Sequence, residues 1–168
     1  IRLKRFDKAQ IKVQAGLKKL PNQINILNVA HDVYRASGDR EKSLHYADLL
    51  ITHHPENWNG YVRAAQDLIR LKRFEEAKKH LKDLAREENN LTNVQLQISD
   101  LYRQINAYGD SQEISSLIIE KFPNAWTSYE RLSSDLFARG FCNQSKILKE
   151  KAILMLSKGK QIPDTKIM

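Results

Sequence analysis

The sequence predicts an all-α solenoid of stacked helix–turn–helix units, and three observations carry that prediction. Only four prolines and six glycines interrupt 168 residues rich in Leu, Lys, Glu, Arg and Ala, which favours helix. Landmarks return every 34 residues. Pro21 and Pro55 are one step apart and Pro55 and Pro123 two steps, with Asn89 in the slot between, while Gly38, Lys72, Asn106 and Gly140 keep the same step. A second identity returns after 68 residues: Ile1-Arg2-Leu3-Lys4-Arg5-Phe6 is repeated as Ile69-Arg70-Leu71-Lys72-Arg73-Phe74.

The first full unit shows how each period divides. Asn25–Ala36 carries Ile26, Leu27, Ala30, Val33 and Tyr34 at helical spacing, and Arg40–His53 carries Leu44, Ala47, Leu50 and Ile51. Between them Ser37-Gly38-Asp39 breaks the pattern, and Pro55 stops the second helix. Gly and Asn accept the left-handed conformation that ends helices, so a helix should end near Gly38, Asn106 and Gly140, with Lys72 the poor fit of the four. In the third unit Gly109-Asp110 lies three residues late, which predicts a longer loop over Ile105–Asp110 and a shorter helix after it.

The resulting map is one solenoid over residues 1–157, with repeats 24–57, 58–91, 92–125 and 126–157. Residues 1–23 match the second half of a Trp-headed repeat, and residues 158–168, with Gly159 and Pro163, read as a frayed tail. The 68-residue matches make the repeats alternate in kind. Trp58, Tyr61, Arg63, Asp67 and Leu68 recur as Trp126, Tyr129, Arg131, Asp135 and Leu136, and Asn25, Asp32, Tyr34 and Arg35 recur as Asn93, Asp100, Tyr102 and Arg103. A short helix pair cannot bury its apolar face alone, so such units stack. Equivalent side chains, such as Phe6 and Phe74 or Tyr34 and Tyr102, should then find equivalent surroundings.

Charge and motifs narrow the function. The net charge of +8 is uneven: residues 1–19 hold seven basic side chains and one acidic, residues 146–168 hold six and two, and the stretch between holds 15 and 17. A nucleic-acid reader of this architecture should carry a basic stripe along its length, so nucleic acid is not the expected partner. No apolar run reaches the ~18 residues of a membrane span. Cys142 is the only cysteine and has no internal partner, which fits a reducing, cytoplasmic setting. The five histidines show no metal-ligand spacing, and no phosphate loop or nucleophile elbow occurs. No catalytic residue, metal or cofactor is expected. Asn90-Leu91-Thr92 and Asn143-Gln144-Ser145 are sequon triplets of the kind that arise by chance.

These positions resemble the tetratricopeptide repeat family. Its pattern of a small residue between aromatic slots, closed by proline, is met by Leu27, Ala30, Tyr34, Ala47 and Pro55 and by Tyr61, Ala64, Ala65, Leu68, Ala77 and Leu81. Ile98, Ser99, Tyr102, Ser111, Ser115 and Pro123 repeat it, as do Tyr129, Ser133, Leu136 and Ser145. His31 departs at a small-residue slot and Lys149 at an aromatic one. The Trp58-x-x-Tyr61 and Trp126-x-x-Tyr129 pairs also resemble the half-a-TPR repeats of RNA-processing scaffolds.

The resemblance implies a right-handed superhelix whose first helices line a concave face, and a scaffold rather than an enzyme. That face would comprise Asn25, Asn28, Asp32 and Arg35, then Asn59, Gln66 and Arg70, then Asn93, Asp100 and Arg103. Asparagines can satisfy the backbone of an extended peptide, so the expected partner is a protein or extended peptide, acidic in character where it meets the basic ends. Self-association through the open N-terminal end is a further expectation, and an RNA-associated repeat protein or an accessory repeat region of a carbohydrate-active transferase are the alternatives. Arg35, Arg63, Arg103 and Arg131 are expected to pair with aspartates on their own helices.

Overall fold

The structure is a computed structural model that describes residues 2–85 and 92–159; the side chains of residues 2–5, 92, 93, 158 and 159 fall outside that description. The described residues form helices and no strand. They sort into two compact units, Ile1–Glu88 and Asn89–Met168. Asn89, the Asn90-Leu91-Thr92 triplet, the side chain of Asn93 and the tail from residue 160 lie outside the described residues.

In the first unit the helices are α1 (Arg2–Lys19), α2 (Ile24–Ser37), α3 (Arg40–His53), α4 (Trp58–Arg70) and α5 (Phe74–Ala85). Each packs chiefly on its neighbours in sequence, as expected of stacked hairpins. Local chemistry sets the boundaries. Gly38 ends α2 at φ 90°, and Asp39 starts α3 by accepting the Lys42 N–H at 3.2 Å. His54 closes α3 by donating its N–H to the Leu50 carbonyl, ahead of Pro55. Asn57 caps α4 by accepting the Asn59 N–H at 3.0 Å.

The core of this unit joins Val13 of α1, Leu27, Ala30 and Tyr34 of α2, and Tyr46 and Leu50 of α3. A fully buried Leu such as Leu27 or Leu50 contributes about 2 kcal/mol, so packing rather than helix propensity holds these short helices. Tyr34 and Tyr46 stack with centroids 5.4 Å apart, and Gln14 donates to both hydroxyls, at 2.8 and 3.3 Å. Gly60 lets α4 approach α3 closely: a Cβ there would lie 3.1 Å from the Ile51 side chain and 3.2 Å from its backbone nitrogen.

The second unit comprises α6 (Thr92–Gln104), α7 (Tyr108–Lys121), α8 (Trp126–Ala138) and α9 (Cys142–Gly159). Val94, Ile98, Leu101 and Tyr102 of α6 are buried, as are Ile114 and Ile118 of α7 and Tyr129 and Leu136 of α8. Tyr102 is as buried as its counterpart Tyr34.

Three expectations are corrected. The loop before α7 is not lengthened. Asn106 makes the left-handed turn at φ 59°, α7 begins at Tyr108, and Gly109-Asp110 lies in its first turn, where Asp110 suits the positive end of the helix dipole. Lys72 is no misfit in conformation: at φ 62° it turns as Asn106 does, and Gly38 and Gly140 turn at φ 90° and 88°. Finally, the repeated hexapeptide takes two backbone forms. From Arg2 onward it is continuous helix in α1, whereas Arg70 ends α4, Lys72 turns and Phe74 begins α5. Phe6 is therefore half-buried inside a helix and Phe74, first in its helix, is 41% exposed.

Candidate functional site

The charged groups of the first helices meet between neighbouring repeats, not along single helices. In the first unit α2 and α4 lie side by side. Asp32 of α2 accepts from Arg63 of α4, and Arg35 of α2 donates to the Gln66 side-chain carbonyl at 2.8 Å. His31, fully buried, places Nε2 3.0 Å from Asp67 of α4, itself fully buried. His31 Nδ1 faces both Arg63 and Asp32, and the Nε2 hydrogen goes to Asp67, whose carboxylate can only accept. Ser43 of α3 donates a second hydrogen bond to the same Asp67 oxygen. Within a single first helix, Arg70 lies 3.7 Å from Asp67 Oδ1 and His31 Nδ1 3.2 Å from Asp32.

The second unit repeats the plan. Arg131 of α8 clasps Asp100 of α6 at 2.7 and 3.1 Å. Ser111 of α7 donates to the fully buried Asp135 of α8 at 2.6 Å, and Arg103 of α6 lies 3.1 Å from the other Asp135 oxygen. Ser99 takes the place of His31, 2.9 Å from the Ser111 hydroxyl.

Burial raises the pKa of both buried aspartates, and their neighbours decide the outcome. At Asp67 the hydrogen bonds from His31 and Ser43 outweigh burial and hold the carboxyl below its usual value. At Asp135 the Ser111 bond and the charges of Arg103 and Arg131 do not offset burial, and the carboxyl is pushed up. Asp32 is lowered, because bonds from Arg63 and His31 exceed the effect of its partial burial.

The ten residues read from the sequence thus divide. Arg35 and Gln66 bond each other, whereas Asp32 pairs with Arg63, Arg70 with Asp67, Asp100 with Arg131 and Arg103 with Asp135. Asn25 sits elsewhere, beside an apolar hollow between α1 and α2 with Lys12 and Val29. Asn28 and Asn59 are half-buried, and the Asn93 side chain is outside the described residues. The buried tie through Ser43, Asp67, Ser111 and Asp135 is missing from the sequence reading. Its signal is present in the 68-residue recurrence of Arg63 and Asp67, but sequence spacing exposes only pairs within one helix. Among the described residues no cluster of three or more metal-ligating side chains occurs, and no helix is long and apolar enough to cross a membrane.

Tandem antiparallel helix pairs, a left-handed turn residue at each of four equivalent places and small residues at the crossings are the features of one known architecture. The fold is that of the tetratricopeptide repeat. Solved TPR structures superpose closely on this chain. MamA matches with a TM-score of 0.72 at 15% identity, covering 95% of this chain and 94% of that one. YrrB, described as a TPR protein with an unusual peptide-binding site, gives 0.67 at 12% identity over 92% and 79%. TTC0263, a thermophilic TPR protein of Thermus thermophilus, gives 0.58 at 18% identity over 98% and 87%. No family model matches the sequence, and no curated protein matches it either. At these identities the likeness to these chains is one of fold.

Proposed function

We propose that this chain is a protein-binding scaffold that holds an extended peptide with acidic side chains against the first helices of its repeats. One observation carries the reading. Arg40, at the start of α3, donates to the Arg35 carbonyl at the end of α2 at 3.2 Å, and the pKa of Arg70, at the end of α4, is lowered by burial together with repulsion from Arg35 and Arg40. Arg35 is tied to the neutral Gln66, and Arg70 has the single carboxylate of Asp67 at 3.7 Å, so three guanidiniums against one carboxylate keep a surplus of positive charge. The last turn of a helix favours cations, which accounts for Arg35 and Arg70 singly. Three guanidiniums that repel one another call for an anion as well. A carboxylate takes two parallel N–H bonds from a guanidinium, which gives both affinity and orientation.

The second unit offers a smaller counterpart, an open hollow of about 510 Å³ bounded by Asp100, Arg103, Gln104 and Tyr108. The alternating signs along the first helices favour a peptide over RNA, whose phosphates would require an unbroken basic track.

The test is fluorescence anisotropy with labelled ten-residue peptides having acidic, neutral or basic centres. The acidic peptide should bind best and weaken with added salt. Arg70→Glu should weaken it at least about tenfold. Equal binding of the three peptides, or an Arg70→Glu variant that binds as well as the parent, would end this reading. A single-stranded RNA that displaced the acidic peptide and saturated the same site would move it to nucleic acid.

A further inference from the structure

The second helices of successive repeats leave grooves between them, and the first unit holds two. Between α3 and α5 the groove is bridged by the chain's own charges. Glu41 of α3 lies 3.5 Å from Arg73, the residue ahead of α5, and Asp48 of α3 is within electrostatic reach of His80 of α5. One period earlier, between α1 and α3, these groups are exchanged. Asp7 stands for Glu41 and Asp39 for Arg73, two like charges that cannot pair. Gln14 stands for Asp48 and Tyr46 for His80, so an amide and a phenol replace a carboxylate and an imidazole.

The α1/α3 groove is open, with a volume of about 730 Å³. The stacked and buried Tyr34 and Tyr46 line it, and Gln14 holds both hydroxyls through one amide nitrogen. Each hydroxyl accepts that bond and keeps a hydrogen to donate. Tyr46 is also bonded to Tyr34, which takes up one of the two hydrogens. The other hydrogen and the Gln14 side-chain carbonyl have no partner among the described residues. Charge along the groove is balanced: Lys18 and Lys42 stand against Asp7 and Asp39, with Lys42 3.1 Å from Asp39. The α1 wall adds Ile11, 68% exposed, and Ala15 one turn on.

We infer that the α1/α3 groove is a second binding site, for an uncharged, extended peptide segment held by a backbone amide and one aliphatic side chain. A peptide unit offers one N–H and one C=O, the complement of the Gln14 carbonyl and the remaining phenolic hydrogen. Neutrality follows from the balance of charge: a charged side chain would lose hydration here with no net opposite charge to meet it. Ile11 and Ala15, four residues apart on one face of α1, receive the aliphatic side chain. The groove shares no residue with the arginine cluster at the ends of α2 and α4, so this site and the acidic-peptide site stand or fall separately.

An NMR titration of the full chain tests the site with a hexapeptide of alternating leucine and serine, acetylated and amidated so that it carries no charge. A second peptide is the same but N-methylated at each leucine, which removes backbone donors and keeps the side chains. The first should shift the Gln14 side-chain amide resonances and bind at least about tenfold tighter than the second. Gln14→Leu and Tyr46→Phe should each weaken it about tenfold. Tyr46→Phe keeps the stacked ring, and circular dichroism confirms that the variant is folded. Added salt and Arg70→Glu should leave the first peptide unchanged, because no net charge holds it. Failure of the first peptide to bind, equal binding of the two, or binding indifferent to both Gln14→Leu and Tyr46→Phe overturns the proposal. Binding that salt abolishes overturns it too, since charge would then carry the contact. Binding lost in Arg70→Glu would place the peptide on the first helices, which sinks this groove and leaves the acidic-peptide site standing.

Discussion

Asp67 in the first unit and Asp135 in the second occupy equivalent places near the ends of Trp-headed helices, both fully buried, both bonded by a serine of the preceding helix. Their company differs. His31 donates directly to Asp67, whereas Ser99 reaches Asp135 only through Ser111, and Arg103 supplies charge to the far oxygen. The result is opposite in sign, with Asp67 lowered and Asp135 raised. A buried carboxyl is held below its usual value where the donors pointing at it outweigh burial, and is pushed above it where burial prevails. Repeats that match in sequence are therefore not interchangeable in energy.

The largest test removes that difference. His31→Ser makes the first site resemble the second, and should cost about 2–3 kcal/mol, the range for hydrogen bonds to a buried charge. Ser99→Ala should cost about 1 kcal/mol, since it removes a neutral contact. Urea unfolding followed by tryptophan fluorescence separates the two, because Trp58 reports on the first unit and Trp126 on the second when the other is replaced by Phe. Equal losses would dissolve the distinction.

Acid reads the same contrast with opposite slopes. A carboxyl lowered on folding contributes stability above its unfolded pKa, near 3.8, and loses it as the pH falls through the still lower folded value. Asp67 should therefore weaken the fold below about pH 4. Asp135, raised above 3.8, binds its proton more tightly in the folded chain. Its ionisation is a penalty at neutral pH, relieved as the pH falls through the folded value towards 3.8. Carboxyl-carbon NMR should place the Asp67 midpoint below that of Asp135. Asp135→Asn should steepen the net loss of stability on mild acidification, because it deletes the opposing slope. Coincident midpoints, or a variant with an unchanged acid profile, would contradict the assignment.

How much of this is legible in the sequence depends on what kind of information spacing carries. The period, the helix pairs and the buried face of α2 follow from apolar residues at three- and four-residue steps, because one helix face is a local property. The Arg63–Asp32 and Ser43–Asp67 ties join residues 31 and 24 positions apart, and nothing local marks them. Spacing suggests instead the pairs within α2 and α4, a choice that packing overrides by placing another helix nearer. The start of the second helix in the third unit is misread from the sequence for a related reason. Gly109-Asp110 looks like a turn, but Asn106 already stands where the repeat turns, and the packed period prevails over the more favourable turn residue.

That override leaves a measurable trace. At each of the four places where a first helix ends the backbone is left-handed, whether the side chain is Gly, Lys or Asn. An L-residue with a Cβ is strained there by about 1 kcal/mol, and Asn relieves part of it through its own polar side chain. Lys72 has neither remedy. Its conformation must be held by the residue after it: the Arg73 N–H bonds the Leu68 carbonyl at 2.9 Å, as the Asp39 N–H bonds that of Tyr34 at 3.0 Å beside Gly38. Lys72→Gly should then stabilise the first unit by about 0.5–1 kcal/mol, and Asn106→Gly the second by only a few tenths (about 0.3 kcal/mol). Thermal unfolding of the two single variants decides it. If Lys72→Gly gained nothing, the turn at 72 would not be the strained one among the four, and the period would owe less to packing than the first unit implies.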